Sequence, residues 1–309
     1  MQRIKKLICL TATLITVTLK LTACDICGCG VGNSYIGILP DFQKHVFGLR
    51  YRYSSLFTHV GVDGLTTYLT TKENYNTVEA WGGWNISKKF RLMASVPYSF
   101  NQRTNQGNRQ SKDGLGDINV SAYYQLLNNR HTVSNKLLIQ SLWIGGGLKL
   151  ATGKYNPLDK SATTENANLF QLGTGSYDFN VNAMYDIRLQ DAGINVASSY
   201  KINTANKYDY RYGNKFNVNG QVYYKVRVKQ KLLIAPSAGM QYETASNDND
   251  KSFNVTVSGG NLLLGTAGVE TAFNKLAIGA NFQTPLSQNL ANGIVKANNR
   301  VMLHISIAL

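Results

Sequence analysis

The residues with the most reactive chemistry stand near the N-terminus, in Cys24-Asp25-Ile26-Cys27-Gly28-Cys29-Gly30. A C-x-x-C-x-C run with glycine in its spacers lets three sulfurs converge. It therefore offers three thiolates to a soft ion such as Cu(I), or to zinc. Two other chemistries compete for the same atoms. Cys27 and Cys29 can pair with each other, as a structural disulfide or a redox-active couple, in an oxidising compartment. If Cys24 is consumed by acylation, only Cys27 and Cys29 remain, too few for a closed metal site without another ligand. Copper or zinc at Cys27 and Cys29 is thus the one cofactor the chain suggests, and otherwise none is expected.

Elsewhere, chemistry-bearing residues are dispersed. His45, His59, His131 and His304 are far apart, and no serine sits beside them in a nucleophile motif. Glu79, Asp117, Asp178, Asp186, Glu243 and Glu270 alternate with apolar residues, as do Arg50, Arg52, Arg91, Arg188, Lys201, Lys225 and Arg227. That pattern suits ion pairing along one wet face better than acid–base catalysis, so no catalytic residue and no enzyme is expected.

Residues 1–23 have the form of a secretory signal: Arg3, Lys5 and Lys6 precede a short apolar core from Leu7 to Leu19. Leu21-Thr22-Ala23-Cys24 resembles the lipobox of bacterial lipoproteins, which would make Cys24 an acylated first residue. Lys20 departs from that pattern, and cleavage after Ala23 by an ordinary signal peptidase is the rival. Residues 24–42 form a Cys/Gly-rich segment that could anchor, line or plug a pore mouth. Loss of Arg3, Lys5, Lys6 and Lys20 takes the 32 basic residues to 28 against 17 acidic ones, a net +11. The basic residues are scattered, not gathered in a stripe, so anionic lipid headgroups and an anion-biased pore explain the charge better than nucleic acid does.

These residues must be positioned by strands. Gly 28 and Tyr 18 against only 5 Pro is the usage of strands and turns. Beyond the leader there is no run of eighteen apolar residues. In 175–189, Tyr177, Phe179, Val181, Ala183, Tyr185, Ile187 and Leu189 alternate with Asp178, Asn180, Asn182, Asp186 and Arg188. The same period-two pattern predicts twelve strands, near 43–53, 73–86, 89–101, 115–127, 136–150, 175–189, 192–204, 214–228, 231–244, 256–273, 275–284 and 299–309. Odd-numbered connections (54–72, 102–114, 151–174, 205–213, 245–255, 285–298) are long. Even-numbered ones are tight apart from 128–135. Short periplasmic turns and long outer loops have this asymmetry in outer-membrane barrels.

Alternation alone does not say which face is inside, since soluble barrels alternate in the opposite sense. Aromatic placement does. Tyr53, Tyr98, Phe100, Tyr177, Tyr200 and Tyr242 fall near the loop ends of the apolar face, and Trp84, Phe90, Tyr124, Tyr185, Tyr224 and Phe273 near the turn ends. Two belts around an aliphatic band match two membrane interfaces. Pro97 and Pro236, placed mid-strand, predict bulges or ladder breaks. The fold class expected is all-β, a single transmembrane antiparallel β-barrel of about twelve strands over 43–309, in the outer membrane of a Gram-negative bacterium. Its pore lining is read as Arg50, Arg52, Glu79, Arg91, Asp117, Asp178, Asp186, Arg188, Lys201, Lys225, Arg227 and Arg300.

Gly114-Leu115-Gly116-Asp117, Gly147-Leu148-Lys149-Leu150-Ala151-Thr152-Gly153-Lys154, Gly173-Thr174-Gly175-Ser176 and Thr284-Pro285-Leu286-Ser287-Gln288-Asn289-Leu290 recur in the order and spacing of a known family. They resemble the outer-membrane transporters linked to the meta-pathway of phenol degradation, with Ala151 standing where that family more often has Pro. The CxxCxC segment, with Gly37-Ile38-Leu39-Pro40 and Gly48-Leu49-Arg50-Tyr51-Arg52-Tyr53, resembles a Bacteroidetes-type branch. The resemblance implies a fatty-acid-channel-like barrel for small organic compounds. Passive uptake or efflux of small solutes, hydrophobic or aromatic ones included, is the leading expectation. A metal-linked receptor using the N-terminal cysteines, or a structural surface barrel, is the alternative. Membrane lipid and a small solute are the expected partners, and the oligomeric state is not legible.

Overall fold

The structure, a computed structural model, describes residues 45–159, 168–229 and 231–309. Residues 24–42, with Cys24, Cys27 and Cys29, lie outside the described residues, as does the leader. The described chain forms twelve wall strands: β1 (Val46–Thr58), β2 (Thr71–Asn85), β3 (Phe90–Asn105), β4 (Asn119–Val133), β5 (Lys136–Lys149), β6 (Asp178–Leu189), β7 (Ala192–Ile202), β8 in two pieces (Lys215–Tyr224 and Val226–Val228), β9 (Leu232–Ala245), β10 (Gly260–Phe273), β11 (Leu276–Leu290) and β12 (Lys296–Ala308). Each pairs antiparallel with its sequence neighbours. The cylinder is sealed by β1 against β12, from Val46 opposite Ala308 to Phe57 opposite Lys296. Closure matters because hydrocarbon offers no partner for an unpaired strand edge.

The faces follow the alternation. Phe47, Leu49, Val181, Ile278 and Ile305 point outward and are exposed, whereas Arg50, Asn182, Gln241 and His304 point inward and are buried. Tyr98, Phe100, Tyr177, Tyr200 and Tyr242 ring the loop side of this apolar surface, and Trp84, Tyr124, Tyr224 and Phe273 ring the turn side. An apolar band between two aromatic girdles is the surface that a bilayer with two interfaces selects.

Both prolines break ladders. At Pro97 the pairing of β3 with β4 stops at Ser95–Asn119, and the outer half of β3 pairs instead with the separate segment Asn108–Leu115. At Pro236, with no N–H to give, the β8–β9 ladder lapses and β8 divides at Lys225. Several connections are shorter than the alternation implied. The expected 128–135 loop is strand up to Ser134-Asn135, a two-residue turn with φ of 46° and 63° that matches the twist of its flanking strands. Likewise 102–114 is mostly hairpin, and 285–298 shrinks to 291–295. Polar residues continue the ladder beyond the bilayer, where the alternation signal fades but the backbone bonding does not.

Glycines make room inside. Gly48 lies directly across from Trp81, Gly145 from Tyr123, Gly193 from Tyr223 and Gly279 from His304. In each pair a Cβ on the glycine would meet the ring of its partner. The large side chain can therefore lie flat on the wall of a narrow cylinder. Val46, Trp81, Tyr123, Trp143, Met184 and Ala197 use that room to form an inner apolar cluster below mid-barrel. Gly48→Val is expected to lower barrel stability by about 1–3 kcal/mol through overpacking. Gly220→Ala, at an outward position with nothing within 4 Å of a Cβ, should be near neutral. The midpoint of the heat-induced mobility shift of the detergent-solubilised barrel on gels distinguishes them.

Candidate functional site: the lumen and its outer mouth

The inner wall carries charge in pairs. On β1 and β2, Arg50 Nε lies 3.4 Å and Arg52 Nη2 3.6 Å from Glu79 Oε2. Arg50 also lies over the Trp81 ring at 5.7 Å. Near the outer end, Arg103 Nε donates to Glu73 Oε1 at 2.7 Å. Reaching past β10 and β11, Arg300 of β12 grips Glu243 of β9 with two bonds, at 2.8 and 3.1 Å. Bidentate geometry of this kind is the strongest form of a charged hydrogen bond. On the turn side, Tyr223 donates to Asp186 at 2.9 Å, and Glu270 faces His304 at 3.9 Å. Removing one member of such a buried pair costs about 3–5 kcal/mol, because the other is left uncompensated.

A second network pins the loop between β5 and β6. Lys149 Nζ reaches Asp117 at 2.6 Å and Asp178 at 3.0 Å, and Lys201 also approaches Asp178 at 3.4 Å. Asp117 in turn accepts from the backbone N–H of Gly153 and of Thr174, both at 2.9 Å. One carboxylate thus ties down both ends of the loop.

Residues 168–171 of that loop pack into the mouth. Asn168, Leu169, Phe170 and Gln171 are all buried. Leu169 and Phe170 pack on Leu56, Tyr75, Leu262, Leu264, Leu290 and Val295 as a hydrophobic plug. Arg103 and Lys112 sit against the Phe170 ring at 4.4 and 4.8 Å. Beside the plug is a cavity of about 340 Å³ whose lining mixes polar residues, Glu73, Arg103, Asn105 and Asn168 among them, with the apolar Leu169, Val257, Ile294 and Val295.

Arg50, Arg52, Glu79, Arg91, Asp186, Arg188, Lys201 and Arg300 lie on the inward side of the strands, with Asp178 among the fully buried groups. Asp117 and Lys225 lie at the two ladder breaks, Asp117 within the Lys149 network. Arg227 stands apart at the turn-side rim, 63% exposed and 3.3 Å from Asp191. Glu73 and Arg103 are absent from the lining read from the sequence, Glu73 as the first residue of its expected strand and Arg103 because 102–114 reads as loop. Parity would have found them, since Glu73 is in phase with Glu79 and Arg103 with Arg91. Nothing in the sequence marks 168–171 as a plug.

A sealed antiparallel cylinder with a greasy exterior, paired charges inside and long connections at one end is a transmembrane β-barrel of the Gram-negative outer-membrane type. No family model and no curated protein matches the chain. Among solved structures, it is similar to an outer-membrane channel from Pseudomonas putida F1, at 14% identity and a TM-score of 0.61, over 91% of this chain and 100% of that one. The β domain of a Bordetella autotransporter, BrkA, matches at 11% identity and TM-score 0.46, over 86% of this chain and all of that one. The NanC porin matches at 10% identity and TM-score 0.43, over 85% and 100% of the two chains. The first of these likenesses supports the fold.

Above the membrane, Asp248 is fully buried between the loops that follow β7 and β9. It accepts from Gly213 N–H at 2.8 Å and from the Tyr210 hydroxyl, while its own N–H donates to Ser258 Oγ at 2.8 Å. Tyr210 and Tyr212 in turn hold the backbone of Asn168 at the root of the plug. Burial raises the Asp248 carboxyl to about 6, against the opposing pull of its hydrogen bonds and of Lys215. A group whose proton is held more tightly in the folded state stabilises it below the unfolded value, near 4, and that contribution is lost as pH rises through about 6. Amide exchange at Asn168, corrected for intrinsic rates, should therefore show roughly tenfold more frequent opening at pH 7 than at pH 4.5. Asp248→Asn should flatten that dependence.

Proposed function

We propose that this barrel is a passive channel or transporter for small solutes across the outer membrane, of the group whose motifs it resembles. The observation that carries the reading is the inside of the cylinder. A wall that needed only to be stable would be filled with apolar side chains, since buried ion pairs are neutral or costly beside them. This one instead carries charged and amide groups from the mouth to the turn side. Such a lining substitutes for the hydration of a passing solute. The likeness to the Pseudomonas putida channel is in accord with it.

The mouth cavity, lined by both polar and apolar side chains, supports solutes with an apolar or aromatic part and a few polar groups, as small-molecule sites are built. Leu169 and Phe170, packed in the mouth beside that cavity, supply a hydrophobic constriction, a device that gates by excluding water. Phe170→Ala removes the ring held by Arg103, Lys112 and Tyr75. It should raise single-channel conductance and the rate of solute-driven liposome swelling by roughly threefold or more. Absence of flux through both wild type and variant, with the heat-induced gel shift confirming a folded barrel, would overturn the channel reading.

A further inference from the structure

The charged pairs of the lumen are not symmetric in what they show to a solute. In three of them the carboxylate is sealed against the wall and the guanidinium covers it. Arg52 is 26% exposed over Glu79 at 1%, Arg103 26% over Glu73 at 2%, and Arg300 16% over Glu243 at 2%. Each pair is thus a dipole with its positive end in the bore.

These three arginines also stand on successive rungs, spread over the neighbouring strands β12, β1 and β3. Inward positions along neighbouring strands recur every two residues, or about 7 Å. Arg52 shares its rung with Thr77 of β2 and Met302 of β12. The next rung outward holds Ser54, Tyr75 and Arg300. The rung beyond holds Leu56, Glu73 and Arg103. Arg50, opposite Glu79 and His304, is the buried foot of the series one rung below Arg52. The upper end opens on the mouth cavity, whose lining includes Arg103.

We propose that Arg103, Arg300 and Arg52 form a binding track for small organic anions, carboxylates with an apolar or aromatic body, running from the mouth cavity into the barrel. The inference rests on the channel reading and names its solute class. A guanidinium has five N–H donors and one carboxylate engages at most two, so an arginine can serve a second anion beside its glutamate. The glutamate keeps each arginine extended at its rung. Several cations on successive rungs let an anion pass along the bore without meeting a deep single well. The apolar part of the solute is served by Leu169, Val257, Ile294 and Val295 at the mouth and by Trp81 and its neighbours below.

Net lumen charge is the rival explanation of any anion preference, and a paired substitution separates the two. Arg300→Gln with Glu243→Gln leaves the net charge unchanged and removes only an exposed cation and a hidden anion. In planar phospholipid bilayers under a KCl gradient, the full-length protein in wild-type and Phe170→Ala backgrounds should favour chloride over potassium by about threefold or more. The Arg300→Gln/Glu243→Gln protein, and its Arg103→Gln/Glu73→Gln counterpart, should each move that ratio toward one. Millimolar benzoate should reduce the chloride current of the parent and not of the paired variants, while uncharged benzyl alcohol should reduce neither. A folded, conducting barrel that prefers potassium, that keeps its selectivity in both paired variants, or that treats benzoate and benzyl alcohol alike would overturn the track and leave the channel reading standing. No current in either background would remove both.

Discussion

A chain that crosses hydrocarbon must bond every backbone N–H and C=O to itself, because the solvent offers nothing in exchange. Here that requirement is met by the seam between β1 and β12, where Val46 to Phe57 run against Lys296 to Ala308. With the seam closed, each of the twelve strands has two neighbours and the sheet has no continuous edge facing lipid. The outward and inward faces then become separate design problems. Outside, the alternation need only be apolar, with rings near the two interfaces. Inside, it must fill a narrow volume without stranding a charge.

The inside is solved by two local rules. Bulk is admitted where the facing residue is glycine, as at Gly48 and Trp81 or Gly145 and Tyr123. Charge is admitted where an opposite charge reaches it, either on the same ladder, as with Arg50 and Glu79, or over two intervening strands, as with Arg300 and Glu243. The Lys149, Asp117 and Asp178 network extends the second rule to the loop after β5. In that way wall electrostatics determine where Leu169 and Phe170 rest.

Most of this architecture was legible before any coordinate. Period-two patterning placed all twelve strands, and Pro97 and Pro236 marked the two ladder breaks. Strand ends were less legible. Beyond the bilayer both faces are wet, so Asn128 to Val133 and Arg103 to Asn105 carry no alternation although their backbones still pair. Inward-facing charges could be read from parity. Which of them is covered by its partner could not, because exposure depends on side-chain reach across strands 57 or more residues apart, as for Arg300 and Glu243. The plug was invisible for a related reason: Asn168 to Gln171 is an ordinary polar–apolar tetrad, buried only because Tyr210, Tyr212 and the upper barrel wall converge on it.

The seam also has a temporal side. Its partners are some of the most distant residues of the polypeptide, and loop-closure entropy makes such contacts slow to form. Until the last strand arrives, β1 and the growing sheet each present an unsatisfied row of amides, the template on which strands of other molecules aggregate. Biogenesis of this cylinder is therefore a race between ring closure and promiscuous pairing, and its winner depends on something shielding the N-terminal edge until Lys296 to Ala308 has been delivered.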